Sequence, residues 1–197
     1  MWGIWLMKIV PLLKISQSSS IYFDFDKEVP YIQTFRGYAI KARESSKNDT
    51  FWLTWLIIGG ANLIGIVLDQ LFKLPILFSI ILALILGAII SKVFTKVCIT
   101  NSLGDREYNV IPLEDIKNTI LTINKIRLIW ATYIFLIIGY ILMSIILISG
   151  GSFKGKDFIM FILGSFAITF LHDIRPRLIL KAIKILKKQM KEGKFDD

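Results

Sequence analysis

The chain has 197 residues, of which 54% are hydrophobic and only 20% are charged, with 24 Lys and Arg against 15 Asp and Glu. Soluble domains usually carry about a quarter charged residues. Here the charges are absent from three windows: Phe51–Leu68, Leu74–Ser91 and Leu128–Phe153. This pattern excludes intrinsic disorder, a secreted disulfide scaffold and a plain soluble enzyme, and it indicates an α-helical integral membrane protein.

The N-terminal segment, residues 1–50, has the pattern of β-structure. Lys8–Ile15 favours a strand, and Tyr22–Asp26 alternates apolar and acidic side chains, as a half-buried strand does. Tyr31–Lys41 predicts a further strand. We therefore expect a β-containing module ahead of the first membrane span.

Four transmembrane helices in two hairpins are predicted, because a helix needs about 20 apolar residues to cross hydrocarbon about 30 Å thick. Residues 51–91 form the first hairpin and residues 126–174 the second. The four spans are placed at Phe51–Phe72, Leu74–Ser91, Ile126–Ile148 and Phe158–Ile174. The last is the shortest, and it requires local thinning of the bilayer or snorkelling of Lys156 and Arg175.

The cationic residues predict the orientation of these spans. Of the 24 Lys and Arg residues, 21 fall in residues 1–50, 92–127 and 175–197, whereas the connections 69–73 and 149–157 hold three. Segments rich in Lys and Arg remain in the cytoplasm. Both termini and the middle loop are therefore expected to be cytoplasmic, in a cell membrane, with two very short connections outside.

The middle segment, residues 92–127, is predicted to contain a β-hairpin and a helix. Lys96–Thr100 and Glu107–Ile111 are strand-like on either side of a turn that contains a glycine. After Pro112, apolar side chains recur at helical spacing. Two isolated strands are marginal in water, so we expect the N-terminal strands and this hairpin to form one small cytoplasmic sheet.

The tail, residues 175–197, is predicted to form a basic amphipathic helix, with apolar side chains from Ile179 to Met190 on one face. Its cations are expected to contact an anionic cytoplasmic leaflet. They are Arg175, Arg177, Lys181, Lys184, Lys187, Lys188 and Lys191. A partner protein is the alternative, whereas nucleic acid fits poorly because aromatic residues do not interleave with the lysines.

Small residues repeat every four positions in the predicted spans: Ala61 and Gly65, then Ala83, Gly87 and Ser91, while the fourth span contains Gly164 and Ser165. Such stripes let helices approach closely. Two interpretations stay open, namely helix packing within the chain or a homo-oligomer, and a groove that binds a lipid or a membrane-inserted peptide.

The sequence predicts no catalysis, cofactor or metal. It contains one cysteine and one histidine and no phosphate-binding, nucleophile-elbow or zinc motif. His172 and Asp173 are interpreted either as a proton-sensing pair or as interfacial groups paired with Arg175 or Arg177. The apolar opening Met1–Leu13 is not expected to be a signal peptide, because charge and proline interrupt it and no cleavage-site pattern follows.

The layout as a whole resembles a known class of protein. A β-patterned segment enters the first span pair at Phe51-Trp52, and Tyr108-Asn109-Val110-Ile111-Pro112-Leu113 precedes the helix that leads to the second pair and a lysine-rich tail. This is similar to the small multi-spanning immunity proteins that Gram-positive bacteria carry beside membrane-damaging toxins, including those of type VII systems and bacteriocins.

The resemblance implies a non-catalytic protein that binds a pore-forming or depolarising toxin within the bilayer. The faces carrying Ala61/Gly65 and Ala83/Gly87 are then the first expected contacts. The alternatives are an accessory membrane subunit of a peptide exporter or other envelope complex and, third, a small channel or lipid-handling protein.

Overall fold

The structure, a computed structural model, describes residues 9–16, 18–36, 60, 64–65, 75–98, 103–108, 111–150 and 153–195. The strands are β1 (Ile9–Lys14), β2 (Ser19–Asp24), β3 (Val29–Phe35) and β4 (Leu103–Glu107). The helices are α1 (Ile76–Cys98), α2 (Leu113–Leu121), α3 (Ile123–Gly150), α4 (Gly155–Ile174) and α5 (Pro176–Lys191).

These elements belong to two compact units. The sheet unit draws on residues 1–43, 98–131 and 174–197, and the helical unit on residues 44–97 and 132–173. The sheet unit therefore contains the four strands, α2, α5 and the first turns of α3. The helical unit contains α1, α4 and the rest of α3.

The sheet unit contains an antiparallel sheet with the strand order β1-β2-β3-β4. In the middle pair, Ile21 lies opposite Ile32 and Tyr22 opposite Tyr31, so alternate side chains point to the two faces. Strands from the N-terminal segment and from the middle segment share this one sheet, which confirms that the two segments pair with each other.

The middle segment contributes one described strand rather than the predicted hairpin. Lys96, Val97 and Cys98 continue α1, so the helix extends seven residues beyond Ser91. The single strand β4 covers part of the predicted turn and pairs with β3 through Gln33 and Arg106. An apolar, β-branched sequence fits either a strand or the last turns of a buried helix, and here helix continuation prevails.

The core of the sheet unit lies between the sheet and the two short helices. Val10, Ile21 and Phe23 are fully buried from the strands, and Ile116 is fully buried from α2. From α5 come Ile179, Ala182, Ile183 and Leu186, in the same hydrophobic cluster. The i, i+3, i+4, i+7 spacing of this last set is what places one face of α5 inside the protein.

In the helical unit, α1 and α4 run parallel and α3 runs antiparallel to α4. Toward their N-terminal ends, Ala83 of α1 clusters with Phe161 of α4, and toward the C-terminal ends Lys92 contacts Asp173. Tyr133, near the start of α3, lies beside His172 at the end of α4. The C-terminal ends of α1 and α4 therefore lie on the same side as the N-terminal half of α3.

Among the described residues, three helical runs are long and apolar enough to cross a membrane: Ile76–Val97, Leu113–Gly150 and Gly155–Lys191. They contain predicted spans three and four and all of span two from Ile76 onward, and α4 begins at Gly155, three residues before the predicted start of its span. The first predicted span, Phe51–Phe72, lies outside the described residues except for Gly60, Ile64 and Gly65, which are helical.

Candidate functional site

A stripe of small and hydroxyl side chains runs along α1 and is buried throughout. It contains the predicted Ala83, Gly87 and Ser91, and it extends by one turn at each end to Ser79 and Thr95. Ser79 and Thr95 were not among the predicted residues. The same four-residue spacing, applied to Ser and Thr, would have found them.

Helix α4 covers this stripe at Gly87. A Cβ added to Gly87 would overlap the carbonyl oxygen of Ile162 and lie 2.9 Å from the backbone nitrogen of Phe166. One turn away along α1, the Ser165 hydroxyl donates a 2.7 Å hydrogen bond to the carbonyl oxygen of Leu84. The backbones of α1 and α4 thus meet at a position that has room only for glycine.

The other predicted small residues lie at different contacts. A Cβ at Gly65 would approach the Cα and the backbone nitrogen of Lys156 to 3.0 Å. Ala61 lies outside the described residues. At Gly164 the helix α4 approaches α3: a Cβ there would lie 3.2 Å from the Tyr140 ring, which also packs edge-on against Phe161 at 4.8 Å between centroids.

The outward faces of α1 and α3 are covered with large apolar side chains that stay exposed in the described part of the protein, and α4 adds Met160 and Leu163. On α3 these recur at heptad spacing, and Phe135 is 74% exposed. They are Leu128, Phe135, Ile138, Leu142 and Ile145 on α3, and Leu77, Phe78, Ile81, Ile85 and Ile89 on α1. Water would penalise such surfaces heavily, whereas hydrocarbon does not.

Polar side chains meet at the C-terminal ends of α1 and α4. Both carboxylate oxygens of Asp173 lie within 2.9 Å of the Lys92 ammonium group. The Tyr133 hydroxyl lies 3.2 Å from Nδ1 of His172. His172 and Asp173 lie at this end of the span, as predicted, and their contacts are with Tyr133 of α3 and Lys92 of α1, whereas Arg175 or Arg177 was the expected partner.

The cations of the tail lie on one side of the helix α5. Arg175 lies between α4 and α5 with left-handed backbone angles, φ 56° and ψ 56°. Arg177, Lys181, Lys184, Lys187, Lys188 and Lys191 are all exposed. The Arg177 guanidinium lies 5.9 Å from the Trp130 ring, and the Lys181 ammonium 5.9 Å from the Phe25 ring.

A buried polar and aromatic cluster occupies the face of the sheet opposite α5. The Tyr31 ring lies 5.1 Å from that of Tyr108 and 5.9 Å from that of Tyr22. Burial raises the pKa of Tyr31 above its usual range, and the nearby Arg106 partly opposes this shift. Gln33 joins β3 to β4 by donating to the carbonyl oxygens of Gly104 and Asp105.

The described residues contain no group of three or more His, Cys, Asp or Glu side chains that could hold a metal ion. Comparisons with protein-family models, with curated proteins and with solved structures found no match to this chain.

Proposed function

We propose that this protein crosses the membrane four times, with both termini and the sheet unit in the cytoplasm. The observation that carries the proposal is the pairing of β3 with β4 in one sheet. Strands of a water-exposed sheet must lie on one side of a bilayer, because unpaired backbone groups are not tolerated in hydrocarbon. The chain therefore leaves and re-enters the same compartment between Phe35 and Leu103.

If α1 makes the return crossing, the segment before it must make the outward one. This supports the predicted span at Phe51–Phe72. The same reasoning applies to the second hairpin, because α5 shares the hydrophobic core of β1 and α2. The parallel course of α1 and α4 fits this scheme, since both then run from the outside to the cytoplasm.

Labelling of single cysteines tests the topology. In a Cys98→Ser background, Lys154→Cys lies in the proposed external connection and Lys117→Cys lies on α2 in the sheet unit. An impermeant maleimide added to intact cells should label Lys154→Cys and should not label Lys117→Cys. After the membrane is permeabilised, the reagent should label both. Labelling of Lys117→Cys in intact cells would contradict the proposed orientation.

Within this topology, we propose that the protein is an immunity protein that protects its producer from a pore-forming or depolarising toxin by binding it in the bilayer. Support comes from the resemblance in layout and from the outward apolar faces of α1 and α3, which a membrane-inserted polypeptide would meet first. Because α4 covers Ala83 and Gly87 within the chain, the exposed face of α3 is a better first choice for contact than that stripe.

A depolarisation assay tests this role. Sensitive cells that express the protein should keep their membrane potential when challenged with toxins encoded beside its gene, and unchanged depolarisation would refute the role. Two double variants map the contact. One changes Ile138 and Leu142 on α3 to Ala, and the matched control changes the outward side chains Ile85 and Ile89 on α1 to Ala. Loss of protection only in the α3 variant would place the contact there.

A second candidate is an accessory subunit of an exporter or other envelope complex. It is favoured by the sheet unit itself, which brings together the N-terminal strands, the middle segment and the tail around one core. Simple connections between spans do not need such a module. Purification in mild detergent distinguishes the two, because a constant second membrane subunit in the absence of any toxin supports this alternative.

A further inference from the structure

The most exposed residues of α5 are all cations. Every residue of this helix that the structure leaves exposed is Arg or Lys. Five of them recur at spacings of four, three, four and three residues, which places them in one line along the helix. We name this line the cationic stripe: Arg177, Lys181, Lys184, Lys188 and Lys191. At 1.5 Å per residue it extends about 21 Å.

The opposite face of α5 is already occupied. Ile179, Ile183 and Leu186 are at most 2% exposed and pack in the core of the sheet unit. Gln189 continues this face and donates a 2.9 Å hydrogen bond to the carbonyl oxygen of Glu28. The helix therefore cannot insert its apolar side into a bilayer, as an amphipathic surface helix usually does, unless the core opens.

The charge of the stripe is poorly balanced by the described part of the protein. Among those residues, the acid that the structure pairs with it is Glu192, which lies 3.7 Å from the Lys188 ammonium, and that lysine is 80% exposed. Such an exposed pair at i, i+4 contributes little. The remaining charge favours a partner that is extended, flat and anionic.

We propose that the cationic stripe docks on the anionic headgroups of the cytoplasmic leaflet by charge alone, while the apolar face of α5 stays in the protein core. Position supports a lipid partner: only Arg175 separates α5 from α4, a helix long and apolar enough to span the membrane. Along the chain, the cationic stripe begins at Arg177, three residues after the end of α4. This inference rests on the proposed topology and not on the immunity role.

The interaction so defined has two properties that insertion would lack. It is screened by salt, because headgroup attraction falls off within about a Debye length of 8 to 10 Å. It also requires anionic lipid, and each Lys near such a surface contributes on the order of a fivefold change in binding. An acidic partner protein would show the same salt dependence without the lipid requirement.

Amine labelling of the full-length protein in nanodiscs tests the proposal. One preparation contains phosphatidylcholine alone and the other about a third phosphatidylglycerol, and a water-soluble amine reagent is read out residue by residue by mass spectrometry. We expect labelling of Lys181, Lys184, Lys188 and Lys191 to slow at least threefold in the anionic nanodiscs. Lys14 on β1 should change little, and 0.5 M salt should abolish the difference.

Two neutralised variants provide a second measurement that does not depend on lysine chemistry. In one, Lys181, Lys184, Lys188 and Lys191 become Gln; in the other, the same number of charges is removed by changing Lys14, Lys117, Lys125 and Lys194 to Gln. Native mass spectrometry counts the phosphatidylglycerol molecules retained after transfer to detergent. The first variant should retain fewer than wild type, and the second as many.

Equal labelling in the two nanodiscs, or equal lipid retention by the two variants, would overturn the proposal. Protection of the stripe in native membranes but not in anionic nanodiscs would assign it to an acidic protein and would also overturn the lipid proposal. The cysteine labelling described above reads the topology separately, so a failure of the topology is distinguishable from a failure of leaflet docking.

Discussion

The Lys92 ammonium group on α1 contacts both carboxylate oxygens of Asp173 at the end of α4, at 2.6 and 2.9 Å. The two side chains are unequally buried: Lys92 is 54% exposed and Asp173 only 6%. Lys92 can therefore regain water if its partner is removed, whereas the Asp173 carboxylate cannot.

This asymmetry predicts an order of effects. Lys92→Met should destabilise the protein more than Asp173→Asn, by about 1–3 kcal/mol, because it leaves a buried carboxylate without its cation. Thermal unfolding in detergent measures the difference, with the exposed Lys96→Met as the control on the same helix. If Lys92→Met and Asp173→Asn lose equal stability, the difference in burial does not determine the cost of breaking this ion pair.

A substitution in the turn between β2 and β3 is expected to raise stability. Glu28 has φ 55°, in the left-handed region that disfavours side chains, yet its carbonyl oxygen accepts the hydrogen bond from Gln189. Glu28→Gly removes the strain and keeps that carbonyl, so we expect a stabilisation of about 0.5–1 kcal/mol.

Asp26→Gly in the same turn is the control, and thermal unfolding in detergent measures the stability of both variants. Asp26 is in the same turn but is not among the described residues with positive φ. Asp26→Gly should therefore lower stability slightly, since glycine adds entropy to the unfolded chain. A loss of stability in Glu28→Gly similar to that in Asp26→Gly would contradict the prediction.

Much of the fold follows from local patterns, but the partners of each element do not. Alternation in Tyr22–Asp26 predicted a strand, and the charge-free window Leu128–Phe153 predicted a long helix. The strand β2 forms there but ends at Asp24, and α3 covers the window as far as Gly150. Periodicity identifies a face without identifying what covers it. The apolar face of α5 could as well have met lipid as the sheet, and only the structure assigns it to the core with Phe23.

The same limit applies to the small-residue stripe. Four-residue spacing at Ala83 and Gly87 predicted close helix packing in general, but it does not name a partner. The partner helix α4 carries the small residues Gly164 and Ser165, but the sequence does not pair them with the stripe on α1. The extent of α1 was also missed, because the sequence around Lys96 satisfies both strand and helix patterns and long-range pairing decides between them.

The burial of Tyr31 predicts that the stability of the protein falls in the alkaline pH range. Burial raises its pKa, so the folded state holds the phenolic proton more tightly than the unfolded state, whose tyrosine titrates near pH 10. The resulting stabilisation is fully present below about pH 10 and is lost as the pH rises toward the folded-state pKa.

The ionisation of tyrosines in detergent, followed by ultraviolet absorbance near 295 nm, should therefore show a component that titrates late. Tyr31→Phe should reduce this late component and should reduce the loss of stability above about pH 10. An unchanged absorbance titration in Tyr31→Phe would show that this phenol is not the group held neutral by the fold.

Gly87 and Gly139 provide a matched pair of helix-interior glycines. A Cβ at Gly87 would overlap the backbone of α4, whereas a Cβ at Gly139 on α3 has nothing within 4 Å. Gly87→Ala should cost about 1–3 kcal/mol, because the backbone must shift and no flexible side chain can yield. Gly139→Ala should be neutral or stabilise by up to about 1 kcal/mol, since alanine favours helix.

Unfolding temperatures in detergent and the level of protein in membranes both report this difference. Ser165→Ala serves as an intermediate case, since it keeps the volume of the contact and removes the hydrogen bond to the Leu84 carbonyl. If Gly87→Ala and Gly139→Ala behave alike, α1 and α4 do not pack through Gly87. The small-residue stripe on α1 would then be free to bind a lipid or a membrane-inserted peptide. Gly87 would again be a candidate for toxin contact.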